Sequence, residues 1–294
     1  MRVLIAPDKF KGTATAREVA DAVAVAVESC GSVPVIQALA DGGEGTLEAL
    51  GGANRTLTVA GPLGEPVEAR WRLGKGRTAV VEMAEAAGLE LAGGAEGNDP
   101  LAADTSGVGE LIDAAVQRGA RHIIVGVGGS ATTDGGWGAV RALYPVQRLR
   151  GVDLVVACDV RTTFVEAAEV FGPQKGASPA QVELLRRRLL RLVQVYEAER
   201  GVDVSQIPGA GAAGGLAGGL ASVGAKLVDG FDVVSDAVQL YDQIEAADLV
   251  VTGEGTVDTT SFDGKVVGGV CELAADAGVP VVVIAGAVEA GVTC

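Results

Sequence analysis

The sequence predicts an α/β protein whose strands run mainly parallel. Short β-branched runs alternate with longer alanine-rich amphipathic stretches, the pattern of strand–helix–strand units. Most polar or glycine-rich motifs follow a predicted strand directly, where open α/β sheets place their ligands. Hydrophobic residues make up 48% of the 294 and aromatics only 3%, so aliphatic side chains and alanine must build the core. Strands buried on both faces read as such continuous apolar runs.

In chain order, strands are expected at Val3–Ala6, Pro34–Gln37, Thr56–Ala60, Val67–Leu73, Thr78–Met83, His122–Val127, Val152–Ala157, Asp248–Thr252 and Pro280–Ala285. Helices are expected at Thr15–Cys30, Gly45–Leu50, Thr105–Arg118, Pro179–Arg200, Ala212–Ser222, Ser235–Ala246 and Val266–Ala277. Thr13 or Thr15 can cap the first helix, with Glu18 placed to close a capping box. Ser178-Pro179 sets a cap before a proline at the first helical position. Arg186–Arg188 and Arg191 read as a solvated helix face. The first two and last two strands could share one sheet, making the middle an inserted lobe; a serial division near residue 100 is the alternative. No Pro/Ser-rich linker marks a boundary, which favours interlocked lobes.

The formal net charge is −15. Such a field repels phosphate backbones and argues against nucleic-acid binding. Anionic ligands must therefore find local positive charge, and four of the six lysines (Lys9, Lys11, Lys175 and Lys265) sit in or beside glycine-rich turns. Cys30, Cys158, Cys271 and Cys294 form no CxxC pair, which points to a reduced cytoplasmic protein without a zinc site or disulfide framework. Pro7 comes too early for a signal peptide. No apolar run approaches the roughly 18–20 residues of a membrane span.

Gly209–Gly214 fits GxGxxG but follows no strand. Gly126–Ala131 nearly fits and does follow one, yet lacks a ribose-binding acid at the right spacing. No Walker A sequence exists, since Gly264-Lys265 is followed by valine. His122 is the only histidine and starts a strand, so a general base must be a carboxylate or lysine. Asp8, Asp41, Glu44, Asp134, Asp159, Glu254 and Asp258 all lie in glycine-flanked loops. Individually each could be a cap or a turn residue. Together, beyond successive strands, they suit magnesium, which takes few oxygen ligands. They also suit phosphoryl transfer, which needs positioning, cations and one carboxylate near the attacking hydroxyl. Backbone N–H groups of glycine turns supply the remaining anion contacts.

The segments Asp8–Gly12, Ala40–Thr46, Gly61–Gly64, Glu82–Ala86, Gly126–Gly136, Ala157–Val160, Val170–Ala177, Pro208–Leu216 and Thr252–Gly255 resemble, in order, those of type I glycerate kinases, and the likeness spans residues 1 to about 286. The resemblance implies ATP-dependent phosphorylation of D-glycerate with Mg²⁺, at the 2-hydroxyl, in a site between two lobes. It implies a discontinuous flavodoxin-like parallel-sheet domain (1–50 plus 230–294) with an inserted second α/β domain (51–229). On this reading Lys9, Lys11 or Lys175 meets the glycerate carboxylate, and Asp41 or Asp159 accepts the hydroxyl proton. ATP phosphates lie on Gly128, Gly129, Ser130, Gly253, Glu254 and Gly255, with Lys175 and Lys265 nearby. Asp134, Glu254 or Asp258 holds Mg²⁺; Asp258 and Lys265 fill the Asp and Lys places that follow the family's Gly-Glu-Gly.

The chain departs from the family pattern in a short Ala142–Val152 segment, in Arg161–Phe164 where Asn-Pro-Leu is usual, and in stopping at Cys294, where a missing last strand would expose a sheet edge. These departures motivate two alternatives: a non-catalytic nucleotide or hydroxy-acid binding descendant, and a kinase for another small hydroxy acid. The partners expected are the small-molecule substrate and, at most, further copies of the chain as a homo-oligomer.

Overall fold

The computed structural model describes residues 1–262 and 265–289; Gly264 and Cys294, both singled out above, lie outside them. The protein is α/β, as expected, with ten strands among the described residues: β1 (Arg2–Ile5), β2 (Val33–Ile36), β3 (Arg55–Ala60), β4 (Pro66–Leu73), β5 (Thr78–Glu82), β6 (His122–Gly126), β7 (Asp153–Cys158), β8 (Lys226–Asp229), β9 (Leu249–Val257) and β10 (Val281–Val288). The chain divides into two compact units, Met1–Gly51 with Asp229–Cys294, and Gly52–Val228.

The first unit is built on a four-stranded parallel sheet in the order β10-β9-β1-β2. Val3, Leu4 and Ile5 of β1 are buried on both faces. One face packs on Phe231, Val234, Leu240, Ile244, Val266 and Val270, the other on Ala20 and Ala24. Each such buried Leu or Ile contributes about 1.5–3 kcal/mol. Helix Ala16–Ser29 opens on Thr15, whose hydroxyl accepts the Glu18 N–H while Glu18 reaches back to the Thr15 N–H, a complete capping box.

The second unit has a six-stranded sheet, β3-β4-β5-β6-β7-β8. Strands β5, β6 and β7 are parallel, whereas β3, β4 and β5 pair antiparallel, with β3 and β4 joined through the Gly61–Gly64 turn. Helix Ser106–Gln117 covers one face through Val108, Leu111, Ile112 and Ala115. Helix Pro179–Arg200 starts on the Ser178 cap, reciprocated by Gln181, and its Arg186 and Arg187 pair with Glu183 along the helix surface.

Two expectations need correction. The stretch Ser235–Ala246 is two helices, Gly230–Ala237 and Leu240–Glu245, broken where Gln239 takes φ 54°. A straight helix would turn Leu240 about 200° from Val238 at 100° per residue; the break lets Val234, Leu240 and Ile244 reach the same core. The Gly253-Glu254-Gly255 motif is not a loop after a strand: β9 continues through it, paired with Ile284, Ala285 and their neighbours on β10. A side chain at Gly253 would put its Cβ 2.1 Å from the Ile284 carbonyl oxygen, so glycine is what allows the strands to pair there. The sequence reading also passed over β8 and the short helices Ala84–Ala87, Trp137–Ala142 and Ala167–Phe171.

Candidate active-site clusters

In the first unit the polar residues gather beyond the carboxyl end of β1, beside the middle of β9. Asp8 follows β1 directly. Its amide donates to the Gly253 carbonyl (2.8 Å), which fixes it against β9, and one carboxylate oxygen accepts the Lys9 N–H (2.7 Å). The residue is 7% exposed. Burial and the negative charge of Asp41 push its pKa up to about 7; Lys9 and its own backbone hydrogen bond oppose them, and Glu254 adds to the rise. A carboxyl group held near neutrality in this way marks a site where charge is concentrated without compensation.

The loop after β2 brings in Asp41. Its carboxylate accepts the Gly43 N–H (3.2 Å) and lies 4.0 Å from the Lys9 ammonium, which also donates to the Glu44 carbonyl (2.9 Å). The Thr46 hydroxyl donates to Gly43 O at 2.6 Å. The loop is backed by Gly230: a Cβ there would stand 1.8 Å from the Asp41 carbonyl oxygen. Glu254 points one buried carboxylate oxygen, Oε1, at no hydrogen-bond donor among the described residues.

Asp8, Lys9, Asp41 and Glu254 thus form one group. Asp258, Lys265 and Lys11, also singled out in this unit, are placed differently. Asp258 accepts from the Thr260 amide and hydroxyl and from the Ser261 amide, and the Thr260 hydroxyl chiefly lowers its pKa. Lys265 donates to that same Thr260 hydroxyl at 2.8 Å. Lys11 is exposed beside the Phe10–Ala14 bridge.

In the second unit, Gly128, Gly129 and Ser130 follow β6. The loop is pinned by Leu89 N–H to Gly129 O (2.8 Å) and Ala131 N–H to Ala87 O (2.9 Å). Asp134 ends it and receives four donors: the Thr105 amide and hydroxyl, Gly136 N–H and Gly138 N–H, at 2.8–3.0 Å. Its carboxylate therefore anchors the start of helix Trp137–Ala142. Burial still raises its pKa against those hydrogen bonds. Lys175 is 2% exposed and donates to the Thr132 carbonyl at 2.6 Å. Burial lowers its pKa to about 7, opposed by Asp134. The Thr132 and Thr133 hydroxyls and Asn98 Oδ1, around this loop, are buried without a hydrogen-bond partner among the described residues. Asp159 follows β7, exposed at the same end of the sheet.

Sequence reasoning gave Asp8 no role and did not single out Asn98, Thr132 or Thr133 as individuals. For Asp8 a signal existed, since it opens the first loop after the first strand; for the others, burial is visible only in three dimensions.

The fold and these loops define an α/β protein of two units whose polar loops follow the ends of parallel strands. The profile described as the glycerate kinase family matches residues 3–144 and 145–293. The glycerate 2-kinase of Escherichia coli K12 is 42% identical over 97% of this chain and 85% of its own length. The glycerate kinase of Halalkalibacterium halodurans is 39% identical over 98% and 86%. A crystal structure from Salmonella typhimurium LT2, described as a candidate glycerate kinase 2, superposes with a TM-score of 0.85 at 37% identity, covering 98% of this chain and 90% of that one. The chain belongs to the glycerate kinase family. Among the described residues no helix is long and apolar enough to cross a membrane.

Proposed function

We propose that this protein phosphorylates D-glycerate with ATP and Mg²⁺, giving 2-phosphoglycerate and ADP. The observation that carries the chemistry is the grouping of Asp8, Lys9 and Asp41, beyond the carboxyl ends of β1 and β2, with Glu254 within β9. The residues fit a divalent cation: among the described residues Glu254 has a buried oxygen with no donor, and burial, then the negative charges of Asp41 and Glu254, raise Asp8. Glu254 and Asp8 would hold Mg²⁺, and Asp134, spent on four donors, and Asp258, spent on its own turn, serve the scaffold. When bound, the ion neutralises phosphate charge and orients the transferring group.

Asp41 accepts the proton of the glycerate 2-hydroxyl as that oxygen forms its bond to the γ-phosphorus. The bond from that phosphorus to the β,γ-bridging oxygen breaks, and ADP leaves with its electron pair. Lys9, 4.0 Å from the Asp41 carboxylate, meets the substrate carboxylate with Lys11. Asp159 is the second candidate for the base. Gly128, Gly129 and Ser130 offer backbone N–H groups to nucleotide phosphates, and Lys175 acts on them by holding the Thr132 carbonyl beneath. Gly253, Gly255 and Lys265 offer further contacts to phosphates. Cys30, Cys158 and Cys271, which are not joined in disulfides among the described residues, suit a reducing cytoplasm.

The test is phosphoryl transfer from Mg·ATP to D-glycerate by purified protein, followed by phosphorus NMR. A 2-phosphoglycerate signal is expected. A folded, ATP-binding sample that forms no product would leave a binding protein, and faster turnover of lactate or tartronate would move the substrate to another hydroxy acid.

A further inference from the structure

The six-stranded sheet has a second end. Strands β5 and β6 start at Thr78 and His122 and run parallel, so their first residues lie at the end opposite the Gly128–Asp134 loop. Strand β4, antiparallel to β5, delivers Trp71 and Arg72 to that starting end, Arg72 standing opposite Val80. Trp71 is 1% exposed, and its indole N–H, a donor with no acceptor role, is buried without a partner among the described residues. Leaving such a group unmet is costly.

Two cations converge on the same ring. The Arg55 guanidinium lies 5.9 Å from the Trp71 ring centroid and the Arg118 guanidinium 5.6 Å. Arg55 sits directly across from Trp71 in the β3–β4 register; Arg118 follows helix Ser106–Gln117. A stack over an aromatic face uses the cation's charge but none of its N–H groups. Arg118 donates once, to the Ala114 carbonyl at 3.3 Å. Among the described residues the Arg55 side chain makes no hydrogen bond or ion pair, and neither Arg77 nor Arg121, whose backbones meet at 2.8 Å, has an ion-pair partner. In a chain of formal charge −15, this concentrates positive charge that no carboxylate among the described residues pairs.

We propose that Arg55, Trp71 and Arg118 form a binding site for a tetrahedral oxyanion of the phosphate class, separate from the loops at the sheet's other end. Such an anion has enough acceptor oxygens to meet two guanidinium forks and the indole N–H together, the arrangement in which arginine outperforms lysine. The proposal does not depend on which ligands the catalytic loops take.

The sequence holds two tryptophans, so Trp137→Phe leaves Trp71 as the sole fluorescent reporter. Titrating that variant with inorganic phosphate, and separately with glucose 6-phosphate, at constant ionic strength should give a saturable change in its emission. The tighter of the two tells free phosphate from a phosphate ester as the natural source. Arg55→Gln and Arg118→Gln should each weaken the response about tenfold or more, as expected for losing a charge-assisted contact, with glycerate turnover at saturating substrate unchanged. Should Trp137→Phe not fold, the same titration in the parent chain and in Arg55→Gln decides. A response that is absent, is reproduced by chloride at equal ionic strength, or survives both arginine substitutions unchanged overturns the proposal.

Discussion

Each unit buries an ionisable group whose pKa is moved to about 7, and the two are opposite in kind. In the first, Asp8 is a carboxylate pushed up to about 7; in the second, Lys175 is an ammonium brought down to about 7. Their surroundings differ more than their titrations do. Asp8 stands near Asp41 and Glu254, and Glu254 carries a buried oxygen with no donor. Lys175 donates to a backbone carbonyl beside a carboxylate that already holds four hydrogen bonds. One cluster is short of a cation; the other spends its charges on holding a loop. Burial perturbs both groups alike, so a shifted pKa finds a site without saying what the site does; the unmet partners say that.

Several substitutions can break this contrast. The largest effect is expected at Asp41. Asp41→Asn should lower kcat by about 10²–10⁴-fold, the usual weight of a general base, with the melting temperature nearly unchanged. Full turnover in that variant would remove Asp41 from the proton transfer and bring Asp159 forward. Next is Gly230→Ala, which drives a methyl into the Asp41 carbonyl. Crowding of this kind costs about 1–3 kcal/mol, and the loop it displaces carries Asp41, so stability and turnover should fall together. Unaltered thermal unfolding would show that the loop yields freely.

The third test is pH. Asp8 is raised from 3.8 to about 7, so over that window the folded chain keeps a proton that the unfolded chain gives up, and its contribution to stability is lost as pH rises. Lys175 is lowered from 10.5 to about 7; there the unfolded chain binds the extra proton, and stability rises with pH. In chelator, urea midpoints should fall toward neutrality on the acid side and climb beyond it. Asp8→Asn should flatten the first arm and Lys175→Met the second; slopes that survive both variants would contradict the assignments. The smallest effects calibrate the two units. Thr15→Ala and Ser178→Ala each remove a reciprocated cap and should cost about 1 kcal/mol, read from the same urea curves.

Much of this was legible in the sequence. The family, the α/β class and nine strands could be read, because buried parallel strands announce themselves as short β-branched runs and helix caps as Ser or Thr before an acid or amide. Strand β8 was not, since Lys226-Leu227-Val228-Asp229 is too short and too charged at its ends to stand out. Glycine misled at Gly253, where it marks close strand pairing; by itself the residue type cannot distinguish a turn from a tight interface. The break at Gln239 follows from what the core demands of Leu240 and Ile244, a tertiary requirement that local periodicity does not encode. The role of Asp8 escaped for a similar reason: Asp after a strand is common, and only the company of Asp41 and Glu254 sets it apart.

The first unit's sheet joins strands from both ends of the sequence, with β1 pairing β9 across Val3 and Leu249. Its opening 51 residues are synthesised before the whole of Gly52–Val228, and ribosomes add about 5–20 residues per second. Roughly 12–50 seconds therefore separate the appearance of β1 from that of its central partner. Contacts so distant in sequence also close slowly in an isolated chain. During that interval Val3, Leu4 and Ile5 have no complete sheet to enter, so the nascent chain is most open to misassembly after its second unit has already had time to fold.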